Sequence, residues 1–92
     1  MTVQMPERIT IQNADEFGQG LINKCRSAEA GEVVELDFSQ LSMLCSTGLG
    51  KILKAHQICK DRAVKIKITD VADNYIRKML SMIHMGKVVE IE

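Results

Sequence analysis

An apolar run meets a Ser-Thr-Gly turn in the stretch Leu41-Ser42-Met43-Leu44-Cys45-Ser46-Thr47-Gly48-Leu49-Gly50. Apolar residues recur at helical spacing after the turn, which predicts that a helix starts there. We expect Ser46 to cap this helix and Thr47 to expose its hydroxyl at the helix start. Free backbone N–H groups and the positive end of the helix dipole favour an added phosphate at such a position. The stretch therefore predicts a regulatory switch and not an active site.

Outward from this turn, hydrophobic periodicity predicts four strands that alternate with three helices. In chain order these cover residues 8–12, 14–28, 33–38, 47–60 and 64–69, a third helix that runs through Ile83, and a last strand at 87–91. Helices that cross between successive strands are typical of a mainly parallel sheet. We expect one small α/β domain over residues 1–92, in a mainly parallel or mixed sheet. Residues 1–7 barely allow a further strand, so we expect a bare sheet edge there.

Several local signals refine these elements. Asn13 and Glu16 have the spacing of a capping box, and either Asp70 or Asp73 can cap the third helix. The alternation in Val64–Thr69 predicts a face of lysines that is exposed to solvent or lies at an edge. Near the end of the third helix, we expect Met79 in the core and Met82 and Met85 partly exposed; core filling is the preferred interpretation, and a partner groove at these methionines is the alternative.

Composition narrows the classes of function. The 92 residues include twelve basic and twelve acidic ones, which give a formal net charge of zero. The chain therefore lacks the strong positive potential that attracts nucleic acid, and it lacks a polybasic membrane anchor. We expect protein partners instead. The chain has one Tyr, two Phe and no Trp, so it offers few aromatic side chains on which the bases of a single-stranded nucleic acid could stack. The first residues lack the pattern of a signal peptide, and no apolar run approaches the about 20 residues that span a bilayer, so we expect a cytoplasmic protein.

The cysteines and histidines, which could form disulfides or bind a metal ion, are far apart in the sequence. Cys25, Cys45 and Cys59 are widely spaced, which favours reduced thiols over a disulfide framework, and no pair has the spacing of a zinc site. His56 and His84 lie far apart, and neither has a partner four residues further on. We therefore expect no metal and no cofactor.

With Glu32-Val33-Val34-Glu35-Leu36-Asp37-Phe38-Ser39 before it, the turn resembles the signature "D-hydrophobic-S … D-S-S-G-L-G" of STAS domains. This is the family of anti-sigma factor antagonists and sulphate-transporter tails, and the similarity runs from about Arg8 to the end of the chain. It implies a non-catalytic binding module whose phosphoacceptor precedes Gly-Leu-Gly, here Thr47 with Ser46 beside it. The implied partner is both anti-sigma factor and Ser/Thr kinase, and a homodimer is compatible with the resemblance. The partner-binding residues that it implies are Ser46, Thr47, Gly48, Leu49, Gly50 and Lys51.

The sequence departs from the family pattern at Cys45, where the family usually carries an Asp that is linked to efficient phosphorylation. A neutral thiol cannot supply that carboxylate. Asp37 matches the family's Asp before the switch loop, and we interpret it as a turn residue that accepts bonds from nearby backbone N–H groups.

Other interpretations stay open at this stage. Ser46 and Thr47 are also ordinary residues for a helix start, and Gly48 and Gly50 serve either a partner's close approach or tight packing within the domain. The family resemblance equally allows a subunit of a lipid-transport ATP-binding-cassette complex or a block of a stress-sensing assembly. From the enzyme class, Cys45 and Lys51 imitate the C-x5-R spacing of cysteine phosphatases and sulfur transferases. Lysine is a poor substitute for that arginine, so we expect no such activity.

Overall fold

The computed structural model describes residues 1–92 and confirms the α/β class and the three helices. In chain order the elements are β1 (Thr2–Gln4), β2 (Arg8–Ile9), α1 (Ala14–Ser27), β3 (Val33–Asp37), β4 (Met43–Leu44), α2 (Ser46–Asp61), β5 (Lys65–Thr69), α3 (Asn74–Met82), a 3₁₀ turn (Met85–Lys87) and β6 (Glu90–Ile91).

The main sheet has four parallel strands in the order β1-β3-β5-β6. Val34 lies opposite Ile66 and Leu36 opposite Ile68, and all four side chains are buried under the helices. The other side of the sheet is open to solvent, and Val33, Glu35, Lys65 and Lys67 are exposed or half-buried there. There Lys67 forms ion pairs with Glu90 at 3.8 Å and Glu92 at 3.3 Å. The expectation of a solvent-facing lysine side is therefore confirmed, although β5 lies inside the sheet.

The expected bare edge at the N-terminus is wrong. Thr2–Gln4 pairs in parallel with Glu35–Asp37, and two further bonds hold it in place. The Met1 ammonium donates to the Val33 carbonyl at 3.1 Å, and the Met5 amide donates to the Asp37 carbonyl at 3.0 Å. Three residues suffice for this ladder because the backbone supplies the pairing and only Val3 has to pack against the core.

The strand expected at residues 8–12 is also wrong in length and in partner. It ends at Ile9 and pairs with Met43–Leu44 in a separate two-stranded ladder. The chain then turns, and Asn13 closes the turn by accepting from the Thr10 amide at 2.7 Å and donating to the Arg8 carbonyl at 2.9 Å. Because the Asn13 side chain is used there, it makes no capping bond to α1, and the expected capping box with Glu16 is absent.

At the end of the chain, Asp73 is the cap of α3, since its carboxylate accepts from the Ile76 amide at 3.0 Å. Met82 is exposed as expected, but Met85 is only 1% exposed, so its predicted partial exposure is wrong. The reason is a left-handed residue, His84 with φ 57°, which reverses the chain and directs Met85 into the core. The last strand consequently starts only at Glu90.

Candidate functional site at the start of α2

The start of α2 is set by a hydrogen bond that continues the β2–β4 ladder. The Cys45 amide donates to the Ile9 carbonyl at 3.0 Å, and Cys45 itself is extended. Its sulfur accepts from the Gly48 amide at 3.2 Å, so Cys45 and not Ser46 is the N-cap. The prediction that Ser46 caps the helix is wrong by one residue, because the bond to Ile9 fixes the boundary earlier. Ser46 is the first helical residue.

Ser46 and Thr47 are both exposed in the first turn of α2, as expected for Thr47. The first turn contains no acidic side chain, so the positive end of the helix dipole is not neutralised by an acidic residue there. These two hydroxyls are therefore accessible groups at a place where an anion is stabilised.

The two glycines of the turn have different surroundings. A Cβ built on Gly48 would overlap Ile9 Cγ2 and lie 3.2 Å from Leu44 Cδ1, so this glycine lets α2 pack tightly on the β2–β4 ladder. A Cβ on Gly50 would meet nothing within 4 Å. Of the two explanations, tight packing accounts for Gly48, and Gly50 leaves open space for an approaching molecule.

Lys51 connects α2 to α1. Its ammonium lies 3.1 Å from the Asp15 carboxylate, and its aliphatic stem packs so closely on Gly18 that a Cβ there would lie 2.6 Å from Lys51 Cδ. Lys51 is therefore paired with Asp15 and does not line the groove beside Cys45, as the anion-binding residue of a cysteine phosphatase would.

A groove of about 640 Å³ runs beside the two hydroxyls. Its walls come from the segments around β2 and β4, from the first turn of α2, and from Tyr75 and Met79 of α3. The sequence raised a partner groove at Met79 as an alternative, but it did not predict that Tyr75 contributes or that the groove reaches the start of α2.

Asp37 lies at the end of β3 and accepts from the Ser39 amide at 2.9 Å. This confirms its interpretation as a turn residue. The same bond, together with one from the Ser39 side chain, lowers the pKa of Asp37, because both favour the charged carboxylate.

The three cysteines are free, and two of them belong to the core. Burial raises the pKa of Cys25, and it raises the pKa of Cys59 to about 12, with a further contribution from the neighbouring Cys25. Neither thiol has the accessible thiolate that a nucleophile requires.

None of the three helices is both long enough and apolar enough to cross a bilayer. In comparisons with known proteins, no curated sequence matches the chain. The family model described as "STAS domain" matches residues 1–92, the whole chain. STAS domains are generally non-catalytic modules that bind proteins, and anti-sigma factor antagonists are their usual context. The chain belongs to the STAS domain family.

Proposed function

We propose that this STAS domain binds an anti-sigma factor with Ser/Thr kinase activity in the cytoplasm, and that phosphate on Thr47, or on Ser46 beside it, ends the binding. The observation that carries the proposal is the exposure of both hydroxyls in the first turn of a helix without an acidic residue in that turn. The family supports a regulatory binding module in general.

The charge of the groove explains how a phosphate would act. The nine residues that line it include no acidic and no basic side chain. A phosphate brings about −1.5 to −2 charges at neutral pH, so it would dominate the local potential. The helix N-terminus stabilises that charge by about 0.3–1 kcal/mol, and the fold is therefore retained. A partner docked on the neutral groove would lose binding through repulsion and desolvation, without a rearrangement of the domain.

The residues proposed for partner binding divide into two groups, apart from Lys51, which forms an ion pair with Asp15 of α1. Ser46, Thr47 and Gly50 are exposed and offer direct contact. Gly48 and Leu49 are turned toward the domain, since Gly48 packs on Ile9 and Leu49 against the core. We propose that the exposed group touches the partner and that the other two hold the turn in shape.

The test compares two substitutions that add the same charge to α2. Thr47→Glu places it in the groove, and Gln57→Glu places it at an exposed position ten residues further along the helix. With the purified anti-sigma factor kinase of the source organism, Thr47→Glu should weaken binding at least tenfold, and Gln57→Glu should bind like the unchanged protein. Thr47→Ala should bind and resist phosphorylation by the kinase and ATP.

Equal affinities of Thr47→Glu and Thr47→Ala would show that the charge switch is wrong and that the domain binds constitutively. Phosphate that mass spectrometry maps to Ser46 in the unchanged protein would move the acceptor by one residue. Thermal melting of all variants should change little, since each substitution is at an exposed position.

A further inference from the structure

Helix α3 and its C-cap residue carry two apolar stripes: one is buried in the core, and of the second only Met79 packs against the core. Ile76 and Leu80 are 1% and 2% exposed and pack into the core. A second stripe follows the outer face at positions i, i+4, i+7 and i+8 and consists of Tyr75, Met79, Met82 and Ile83. Tyr75 is 74% exposed and Met82 71%. Single exposed apolar residues are ordinary, but a stripe at helical spacing is a feature of helices that pack against something.

This outer stripe is continuous with the groove beside Thr47. A cavity of about 360 Å³ is lined by Lys78 and the four residues of the stripe. Tyr75 and Met79 also line the 640 Å³ groove, where Ile11 and Met43 form the opposite wall and are 78% and 47% exposed. We call this continuous area the α3 surface: Ile11, Met43, Tyr75, Lys78, Met79, Met82 and Ile83.

The α3 surface has one charge, and that charge is positive. No acidic residue lines either cavity, and Lys78 makes no ion pair in the structure. The neighbouring Arg77 is occupied, because its guanidinium donates to the Val71 carbonyl at 2.7 Å. A complementary surface is therefore apolar and carries a carboxylate opposite Lys78.

We propose that the α3 surface is the docking site of an amphipathic helix from a protein partner, with apolar residues on one face and acidic residues at its flank. The concave shape and the helical spacing of the stripe fit a helix that lies along it. The proposal extends the binding site at the start of α2 and does not require that Thr47 is phosphorylated.

Two other occupants fit the surface less well. A second copy of this chain, docked through the same surface, would bring two Lys78 ammonium groups against surfaces that lack an acid. An anionic lipid surface gains about 1 kcal/mol from each nearby Lys or Arg, so the single free lysine gives little attraction.

The experiment uses two synthetic helical peptides as probes and the isotope-labelled protein in NMR titrations. Both peptides carry leucines at i, i+3, i+4 and i+7, and their flanking residues are glutamates in one and lysines in the other. The glutamate peptide should shift the amides of α3 and of Met43, and bind at least tenfold more tightly than the lysine peptide. Lys78→Glu should reverse this preference.

Variants locate the contact. The double variant Tyr75→Ser, Met82→Ser should bind the glutamate peptide at least tenfold more weakly. Val33→Ser removes an apolar residue that is 37% exposed on the open face of the sheet, and it should bind like the unchanged protein. Thermal melting verifies that the variants are folded. Equal binding of the two peptides, no binding at millimolar concentration, or shifts confined to other elements would overturn the proposal.

Two further measurements test the other occupants. Dimerisation in sedimentation experiments that the double variant abolishes would assign the surface to a second copy. Flotation with vesicles of phosphatidylcholine and phosphatidylglycerol, lost in the same variant, would assign it to lipid, and either result overturns the proposal. The peptide test is independent of the Thr47→Glu test, so the failure of one leaves the other proposal standing.

Discussion

Replacing Cys45 with aspartate is expected to stabilise the protein through a better cap on α2. Position 45 is the N-cap, and its sulfur, a weak acceptor, lies 3.2 Å from the Gly48 amide. Exchanging a preferred cap such as Asp for Ala costs about 0.5–2 kcal/mol, and a negative charge at a helix N-terminus adds about 0.3–1 kcal/mol. Because the thiol already makes part of this bond, we expect Cys45→Asp to add about 1–2 kcal/mol to the free energy of unfolding.

Urea unfolding and thermal melting measure the effect. For a domain of this size, each kcal/mol raises the Tm by about 4–8 °C. Cys45→Asn has nearly the shape of aspartate without its charge, so it separates the hydrogen bond from the dipole interaction. The difference between Asp and Asn should shrink as salt is added, since salt screens exposed charges. Cys45→Ala should be the least stable of the series.

The reasoning would be refuted if Cys45→Ala were as stable as the unchanged protein and Cys45→Asp gave no gain. That result would mean that the thiol does not cap the helix in solution and that the Ile9 bond alone fixes the helix start. The family usually carries Asp at this position. Because position 45 is the N-cap of α2, an Asp there would cap the helix, in addition to any role in phosphorylation. Cys45→Asp should therefore be tested for phosphate incorporation as well as for stability.

Gly50→Ala should stabilise the protein by about 0.5–1 kcal/mol in urea unfolding, because its Cβ meets open space within a helix, and it should weaken partner binding if the partner's backbone approaches there. Gly48→Ala should lower the free energy of unfolding by about 1–3 kcal/mol, because its Cβ overlaps Ile9; an unchanged value would show that the β2–β4 ladder can shift to make room for the added methyl group. Asp73→Ala should cost about 0.5–2 kcal/mol through the lost cap of α3, visible in the same unfolding curves. The pKa of Cys59 is raised from 9.0 to about 12, so the folded chain keeps a proton that the unfolded chain loses, and the urea midpoint should fall as pH rises above about 9. Cys59→Ala should flatten this fall without abolishing it, because the pKa of Cys25 is raised too; an unchanged slope would contradict the assignment.

The elements with clear periodicity were predicted correctly from sequence. In β3 and β5, alternate residues must be apolar because one face of the sheet is covered, and this pattern is visible without knowing the neighbours. The helix start at position 45 is different in kind. Its boundary depends on the bond from the Cys45 amide to the Ile9 carbonyl, a contact between segments far apart in the chain. Ser46 was the better cap by residue type alone, so propensity gave an answer that a tertiary contact overrode.

The shortest strands had no pattern to detect. β1 has three residues and β2 has two, too few for an alternation to show. Their places are set by pairing with distant segments, as in the bond from the Met1 ammonium to Val33, which spans 32 positions. The periodicity predicts four strands, the number that the main sheet has. It places the first of them at Arg8–Gln12, whereas in the structure β1 is the strand that completes the sheet.

The division of the apolar residues of α3 has the most consequence for function. In the sequence, Tyr75, Ile76, Met79, Leu80 and Ile83 read as a single stripe. A nine-residue helix has only one inward face, which Ile76 and Leu80 fill with Met79 at its border. The chain reversal at His84 then sends Met85 into the core, and Ile83 remains 45% exposed on the outside. Because Tyr75 and Ile83 do not complete the core, their substitution should cost the fold little and cost the binding of a docked helix much, which separates a recognition surface from a structural one.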